Sequence, residues 1–239
     1  MQQNNKVSAF ILGFFLFLGL SVLGALLANA AIEYKQLERS ITVKGLSEHE
    51  YTADIVIWPI QFTVADNNLE ALYESLDSGS SKIKLFLKKN NIKAEDISSS
   101  SPAITDKSAQ QYSSNTKAKF RYAAIQTVTV YSNEIESVRL VMSQLSELGK
   151  QGIVFPRSDY NSKTEYLFTR LNQVKPEMIE EATKKAREVA QKFAADSQSI
   201  LGKIKRAKQG QFSISARDKN NPHIKKVRVV STVEYYLSD

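Results

Sequence analysis

The sequence predicts an α+β fold: antiparallel β-sheets packed against about three helices, preceded by one N-terminal transmembrane or signal helix. Three observations carry this expectation. Residues 7–32 form one nearly unbroken apolar run, with FILGFFLFLGLSVLGALL at its heart. Beyond it, β-rich segments come in pairs, each followed by apolar residues at helical spacing, in the cadence ββα, ββα, ββα, ββ. Hairpins between helices favour antiparallel sheets with helices on a face. Finally, Ala182, Ala186, Ala190 and Ala194 recur every fourth residue, a small-residue stripe that lets a helix approach a sheet closely. The cadence suits a diverged repeat, although no matching residues prove one.

The apolar run matches the hydrocarbon thickness of a bilayer, which a helix of about 20 residues spans. Two fates compete for it. Ala28-Asn29-Ala30 is a small-x-small site suited to signal peptidase, with cleavage after Ala30. The apolar core from Phe10 to Leu27 exceeds the usual signal length of about 7–15 residues, which favours a retained anchor. Lys6, the only charged side chain ahead of the run, keeps residues 1–6 on the cytoplasmic side. Residues 33–39 read as a short linker and residues 40–239 as the exported part, sized for one larger domain or two small interlocked ones.

Residues 40–47 and 51–64 read as paired strands. Val56, Trp58, Ile60, Phe62 and Val64 share one face, and Pro59 calls for an edge or a bulge because it lacks a donor. Capping side chains at Asp66-Asn67-Asn68, with Glu70 three residues after Asn67, open a helix to about Lys89 that Asn90-Asn91 ends. Gly79 weakens its middle. A strand over 97–105, a long polar connection over 106–119 and a return strand over 120–132 follow. Ile135, Val138, Met142, Leu145 and Leu148 mark a second helix ending near Gly149. Strands at 153–160 and 164–169 join through a turn at Asn161-Ser162. Pro176 sits where the first residue of a third helix belongs, and Gly202 is its stop. Strands at 203–216 and 225–237 close the chain.

Composition narrows the chemistry. The chain has no cysteine, so disulfides, thiolate catalysis, Cys-ligated zinc and Fe–S clusters are excluded. Net charge is +7, nearly all of it in the exported part. Such a balance serves solubility and can also favour anionic surfaces. Asp54, Asp66, Asp77 and Asp96 occupy capping or surface contexts, and no calcium loop is present. Glu180-Glu181 and Lys184-Lys185 are i,i+4 partners on a solvated helix face. The two histidines, His49 and His223, fall in predicted turns and read as exposed. No catalytic or phosphate-binding motif appears, so neither catalytic residues nor a cofactor or metal are assigned. Lys203, Lys205, Arg206, Lys225, Lys226 and Arg228 form a candidate patch for an anionic ligand if the terminal strands pair. An exported location argues against nucleic acid despite that charge.

These features coincide with a known pattern. The strand SITVKGLSEHEYTADIVIWPIQFTV with its Val43-x-Gly45 opening, the alanine-spaced helix EEATKKAREVAQKFAADSQSILGKI with Leu201-Gly202 behind it, and the strand VRVVSTVEYYL resemble the SIMPL-domain family of bacterial envelope proteins, which includes periplasmic immunogenic proteins. The resemblance covers roughly residues 40–237 and is more specific for fold than for function. It implies an α+β domain, a periplasmic location, a tendency to form homo-oligomers and a loosely defined role in envelope or oxidative stress tolerance. No catalytic residue set carries over. The expectation is therefore a non-enzymatic protein of the bacterial inner membrane with a periplasmic domain, acting by self-association or protein contact through exposed strand edges and the 106–119 connection. The rival readings are a binding module for an anionic envelope ligand and an unrecognised hydrolase.

Overall fold

The computed structural model describes residues 3–37, 39–109, 119–156 and 163–238. Helix α1 (Gln3–Leu37) contains the apolar run. Its residues 8–35 are long and apolar enough to cross a membrane, and none of that stretch is buried. At 1.5 Å per residue it measures about 42 Å, the bilayer thickness with its headgroup layers. In mid-run, the Ser21 hydroxyl donates to the Phe17 carbonyl, so no hydroxyl is left without a partner there. The helix continues through Glu33–Leu37, where the sequence suggested a linker. Nothing in those residues breaks a helix.

The chain divides into two compact units, each built from separate stretches of sequence. One comprises residues 1–48, 175–213 and 228–239, the other residues 49–174 and 214–227. One sheet, most of whose residues belong to the first unit, holds β1 (Ser40–Thr52), β9 (Ile224–Ser238) and β7 (Ile200–Gln209) in that order, and β8 (Ser213–Ala216) also pairs with β9. Antiparallel sense follows from Leu237 donating to Arg39 at one end and Arg228 lying near Glu48 at the other. Helix α5 (Leu171–Asp196) lays its alanine stripe on this sheet. Ala182, Ala186, Ala190 and Ala194 are all buried, with Val43, Val233 and Tyr235 beneath them. A Cβ on Gly45 would stand 1.8 Å from the Ala182 carbonyl oxygen, so glycine and alanine together set the helix–sheet spacing.

The second unit holds β3 (Ile97–Ser99), β5 (Tyr122–Ser132), β2 (Ile55–Asp66) and β6 (Glu165–Leu167) in that order, with β4 (Ala103–Asp106) also on β5. The buried face of β2 is Val56, Trp58, Ile60 and Phe62, as alternation predicts. Ala124, Val128 and Val130 of β5 continue it, and α2 (Leu69–Lys89), α3 (Ile135–Ser143) and α4 (Ser146–Lys150) cover it. Each fully buried Leu, Ile or Phe there contributes about 1.5–3 kcal/mol. Pro59 lies beyond the short β6, on the open edge. Thr63, four residues on in an unbroken register, gives its N–H outward to Val154, so the donor that Pro59 lacks would also have pointed outward.

Several expectations are corrected. Strands β1 and β2 do not pair; they enter different sheets. β1 runs on to Thr52, because the polar residues 48–50 alternate as well in an exposed strand as in a turn. The strand expected at 97–105 is two short ones flanking Pro102. The second helix breaks into α3 and α4 at Gln144. Pro176 is the sixth residue of α5 rather than its first, at the loss of one intrahelical bond. α5 ends at Asp196, where the Ser197 hydroxyl donates to the Phe193 carbonyl and Gln198 turns left-handed (φ 54°). Gly202 lies in β7 against Tyr236 instead of stopping the helix. The α2 cap is Asn68, whose side-chain oxygen accepts from the Glu70 and Ala71 N–H groups, while Asn67 accepts from the Arg121 N–H. Most of the 106–119 connection, half of the expected 153–160 strand and the turn at Asn161-Ser162 lie outside the described residues; of the strand, Val154 forms a bridge to Thr63.

Candidate functional site

The six basic residues of the candidate patch divide. Lys203, Lys205 and Arg206 lie on β7, opposite the last residues of β9, with Arg206 across from Glu234. Arg228 is six residues back along β9, about 20 Å away at 3.4 Å per residue. Lys225 and Lys226 belong to the second unit. The terminal strands do pair, but their register spreads the charges instead of gathering them. Lys205 bonds Glu234 at 3.2 Å and lies over the Tyr236 ring at 5.6 Å. Glu234 is held below its usual range by the Ser40 hydroxyl and by Lys205. Burial lowers the pKa of Lys225, against the opposing pull of Glu165.

Each unit carries a cleft of its own. A groove of about 900 Å³ runs between α5 and β7, floored by Leu201, Ile204 and Tyr235 and rimmed by Glu180, Lys184, Arg187 and Lys203. It exists because α5 covers β1 and β9 and leaves β7 bare; β7 is exposed at every residue except the half-buried Leu201. A second cleft, of about 760 Å³, opens between α2 and the ends of β2 and β5, with Glu74, Ser78, Lys82 and Lys107 among its walls. The Lys82 ammonium is committed to the Gln151 carbonyl at 3.2 Å. Among the described residues, no group of three or more His, Asp or Glu side chains could hold a metal ion.

The carboxylates with lowered pKa values have structural partners. Asp54 accepts from the Thr169 N–H at 2.6 Å, the Thr169 hydroxyl, and the Arg170 N–H and guanidinium. Burial alone would raise its pKa, yet these donors together hold it below 3.8. Its stabilisation is therefore present above that pH and is lost as acid titrates through the lower folded value. Asp54→Ala strips partners from two backbone donors and should cost about 2–3 kcal/mol in a urea titration at neutral pH. The Arg121 guanidinium similarly pulls Asp106 well below the carboxylate range. Arg217 holds Asp218 at about 2, while Asp218 also caps the 218–221 turn.

That turn delivers the largest departure from the sequence reading of side chains. His49 is exposed as expected, though in strand β1. His223 is buried, at 7% exposure. Its carbonyl accepts from the Ala53 N–H at 2.8 Å, its ring lies 6.0 Å from that of Tyr166, and its Nδ1 has no hydrogen-bond partner among the described residues. Burial, then Arg139, lowers its pKa below 6.5; Glu136 opposes them, Arg217 adds to the lowering and Asp218 counters it. The unfolded chain therefore binds the proton more readily than the folded one. His223 stabilises the fold fully above about pH 6.5, and this is lost as pH falls through the lower folded value. Urea midpoints should drop between pH 7.5 and 5.5, and His223→Gln should flatten that interval. A parallel drop in the variant would assign the acid sensitivity elsewhere.

The architecture is thus an α+β domain of two antiparallel sheets behind one helix of membrane-spanning length. The SIMPL family, described as "Protein of unknown function (DUF541)", matches residues 41–234, and the chain belongs to that family. No curated protein matches the chain.

Proposed function

We propose that the chain is a non-enzymatic, membrane-anchored protein of the bacterial inner membrane, whose SIMPL domain works in the periplasm by self-association or protein contact, in the service of envelope or oxidative stress tolerance. The observation that carries this reading is the edge strand β7, ten residues long, unpaired on its outer side among the described residues and exposed except at the half-buried Leu201, in a unit that begins with a helix of membrane-spanning length. An unpaired strand edge is a template for another chain, and a helix that confines copies to a membrane plane raises their local concentration. The perturbed groups Asp54, Asp106 and Asp218 support the reading too, since each is accounted for by a structural partner. Light scattering and intact mass on natively extracted protein test it. The expected result is an intact N-terminus and a discrete oligomer. A chain cleaved after Ala30 and monomeric would overturn it.

A second reading, binding of an anionic envelope ligand, draws on Lys203, Lys205 and Arg206 beside the α5–β7 groove. Salt-sensitive binding of anionic vesicles, abolished by charge reversal at these three residues, would favour it.

A further inference from the structure

The end of the first unit nearest α1 combines exposed apolar side chains with basic ones. The register fixes which residues lie there. Residue 38 alone separates α1 from Arg39, so Leu37 and Arg39 are at most about 7 Å apart. The Arg39 carbonyl accepts from the Leu237 N–H at 2.9 Å, and Leu237 pairs with Leu201 of β7. Two strand spacings of about 4.8 Å thus bring Leu201 and its neighbour Ile200 within about 15 Å of Arg39, and Tyr236 and Ile204 fall within the same radius. Ile200 is 64% exposed, Ile204 49% and Tyr236 40%. Phe193, 54% exposed, joins them through the α5 terminus, where Ser199 donates to the Ala194 carbonyl. Between them stand Lys203, Lys205 and Arg206 on β7; Glu234 and Asp196 are the opposing carboxylates on the adjoining segments.

Helix length sets the level of this end. The apolar stretch reaches Ile32, and the five further helical residues Glu33–Leu37 add about 7 Å, which crosses the headgroup layer. Tyr34 falls in that five-residue stretch, and tyrosine is a residue type that anchors spans at the membrane interface. Exposed apolar side chains on both faces of this sheet end, with lysine and arginine among them, match a surface of acyl-chain boundary and anionic phosphate.

We propose that this end of the sheet docks on the membrane that α1 enters, with Phe193, Ile200, Ile204 and Tyr236 set into the interface and Lys203, Lys205 and Arg206 on anionic lipid headgroups. The docking rests on α1 being retained as an anchor. It holds the first unit against the bilayer instead of leaving it on a free tether.

The absence of cysteine makes a clean test possible. Full-length chain carrying Ile200→Cys, or Gln209→Cys as a site about 24 Å farther along the sheet by the β9 register, is labelled with a nitroxide and placed in nanodiscs. One set is phosphatidylcholine alone; the other adds phosphatidylglycerol. Collision with a water-soluble nickel chelate and with oxygen reads immersion. Docking predicts that the Ile200 label in anionic nanodiscs is about tenfold less accessible to nickel than the Gln209 label, and that Lys203→Glu/Lys205→Glu/Arg206→Glu abolishes the difference. Equal accessibility of the two sites in anionic nanodiscs overturns the proposal. So does protection of Ile200 in detergent without lipid, which would show that a protein contact covers it. Because the full chain is inserted beforehand, these outcomes are independent of whether the native N-terminus is cleaved; intact mass of the natively extracted protein reports that separately.

Discussion

Gly45→Ala, the addition of one methyl group, is expected to destabilise the four-stranded unit by about 3 kcal/mol or more, the upper end of what overpacking costs. The new Cβ would meet the Ala182 carbonyl oxygen at 1.8 Å and the Ala186 nitrogen at 2.5 Å. Both are backbone atoms of α5, so no rotamer change relieves the clash. Either the helix lifts from the sheet, exposing Val43, Val233 and Tyr235, or β1 is pushed out of the ladder. No backbone strain enters the argument, because Gly45 sits in an ordinary extended strand. Gly149→Ala is the matched control. Nothing lies within 4 Å of its added methyl, and its site in α4 should gain about 0.5–1 kcal/mol from helix propensity. Hydrogen exchange on the full chain should show protection lost in β1, β9 and α5 for the first variant and unchanged for the second. Retained protection after Gly45→Ala would mean that the helix–sheet spacing has slack that the geometry denies.

The same contact explains what could be read from sequence. The alanine stripe and the Val43-x-Gly45 opening are two halves of one interface, and close packing followed from the stripe alone. The partner of the stripe did not, because nothing local links Gly45 to a helix 137 residues on. Strand faces were legible wherever one side is buried, as in β2, since the period of two is imposed by the pleat. Pairing was not. β1 and β2 are adjacent in sequence and β-rich, and only the long-range ladders β1–β9 and β2–β5 separate them. Candidate sites fared likewise. Lys203, Lys205 and Arg206 are identifiable as a cluster because they are sequential, but their distance from Arg228 depends on a register that includes bulges between Leu201 and Arg206. The α5–β7 groove depends on which strands the helix fails to cover, and the burial of His223 on an Asp218-capped turn docked against Ala53. Both are tertiary outcomes.

Phe62→Ala should cost about 3–5 kcal/mol, the range for emptying a buried phenylalanine site. Its ring is fully buried between the sheet and α2. The neighbouring residue gives this prediction its discriminating power. Gly79, which by propensity alone weakens α2, leaves room for the ring: a Cβ there would stand 2.7 Å from Phe62 Cε2 and 3.2 Å from Cδ2. Two effects of Gly79→Ala therefore oppose each other. Helix propensity favours alanine by about 1 kcal/mol, and overpacking disfavours it by about 1–3 kcal/mol. The ring has no exposed surface, so displacing it toward the cleft that it and Gly79 line gives up packing, and the single variant should lose about 1 kcal/mol. Here, unlike at Gly45, the obstacle is a side chain and can be removed. In Phe62→Leu the smaller side chain opens space at that point, and adding Gly79→Ala to it should stabilise the protein relative to Phe62→Leu alone. Urea denaturation of the four chains gives the coupling directly, with an expected value of about 1–2 kcal/mol. Strict additivity would show that the α2–β2 spacing is set elsewhere, and that Gly79 is a weak point in the helix rather than the seat of the Phe62 ring.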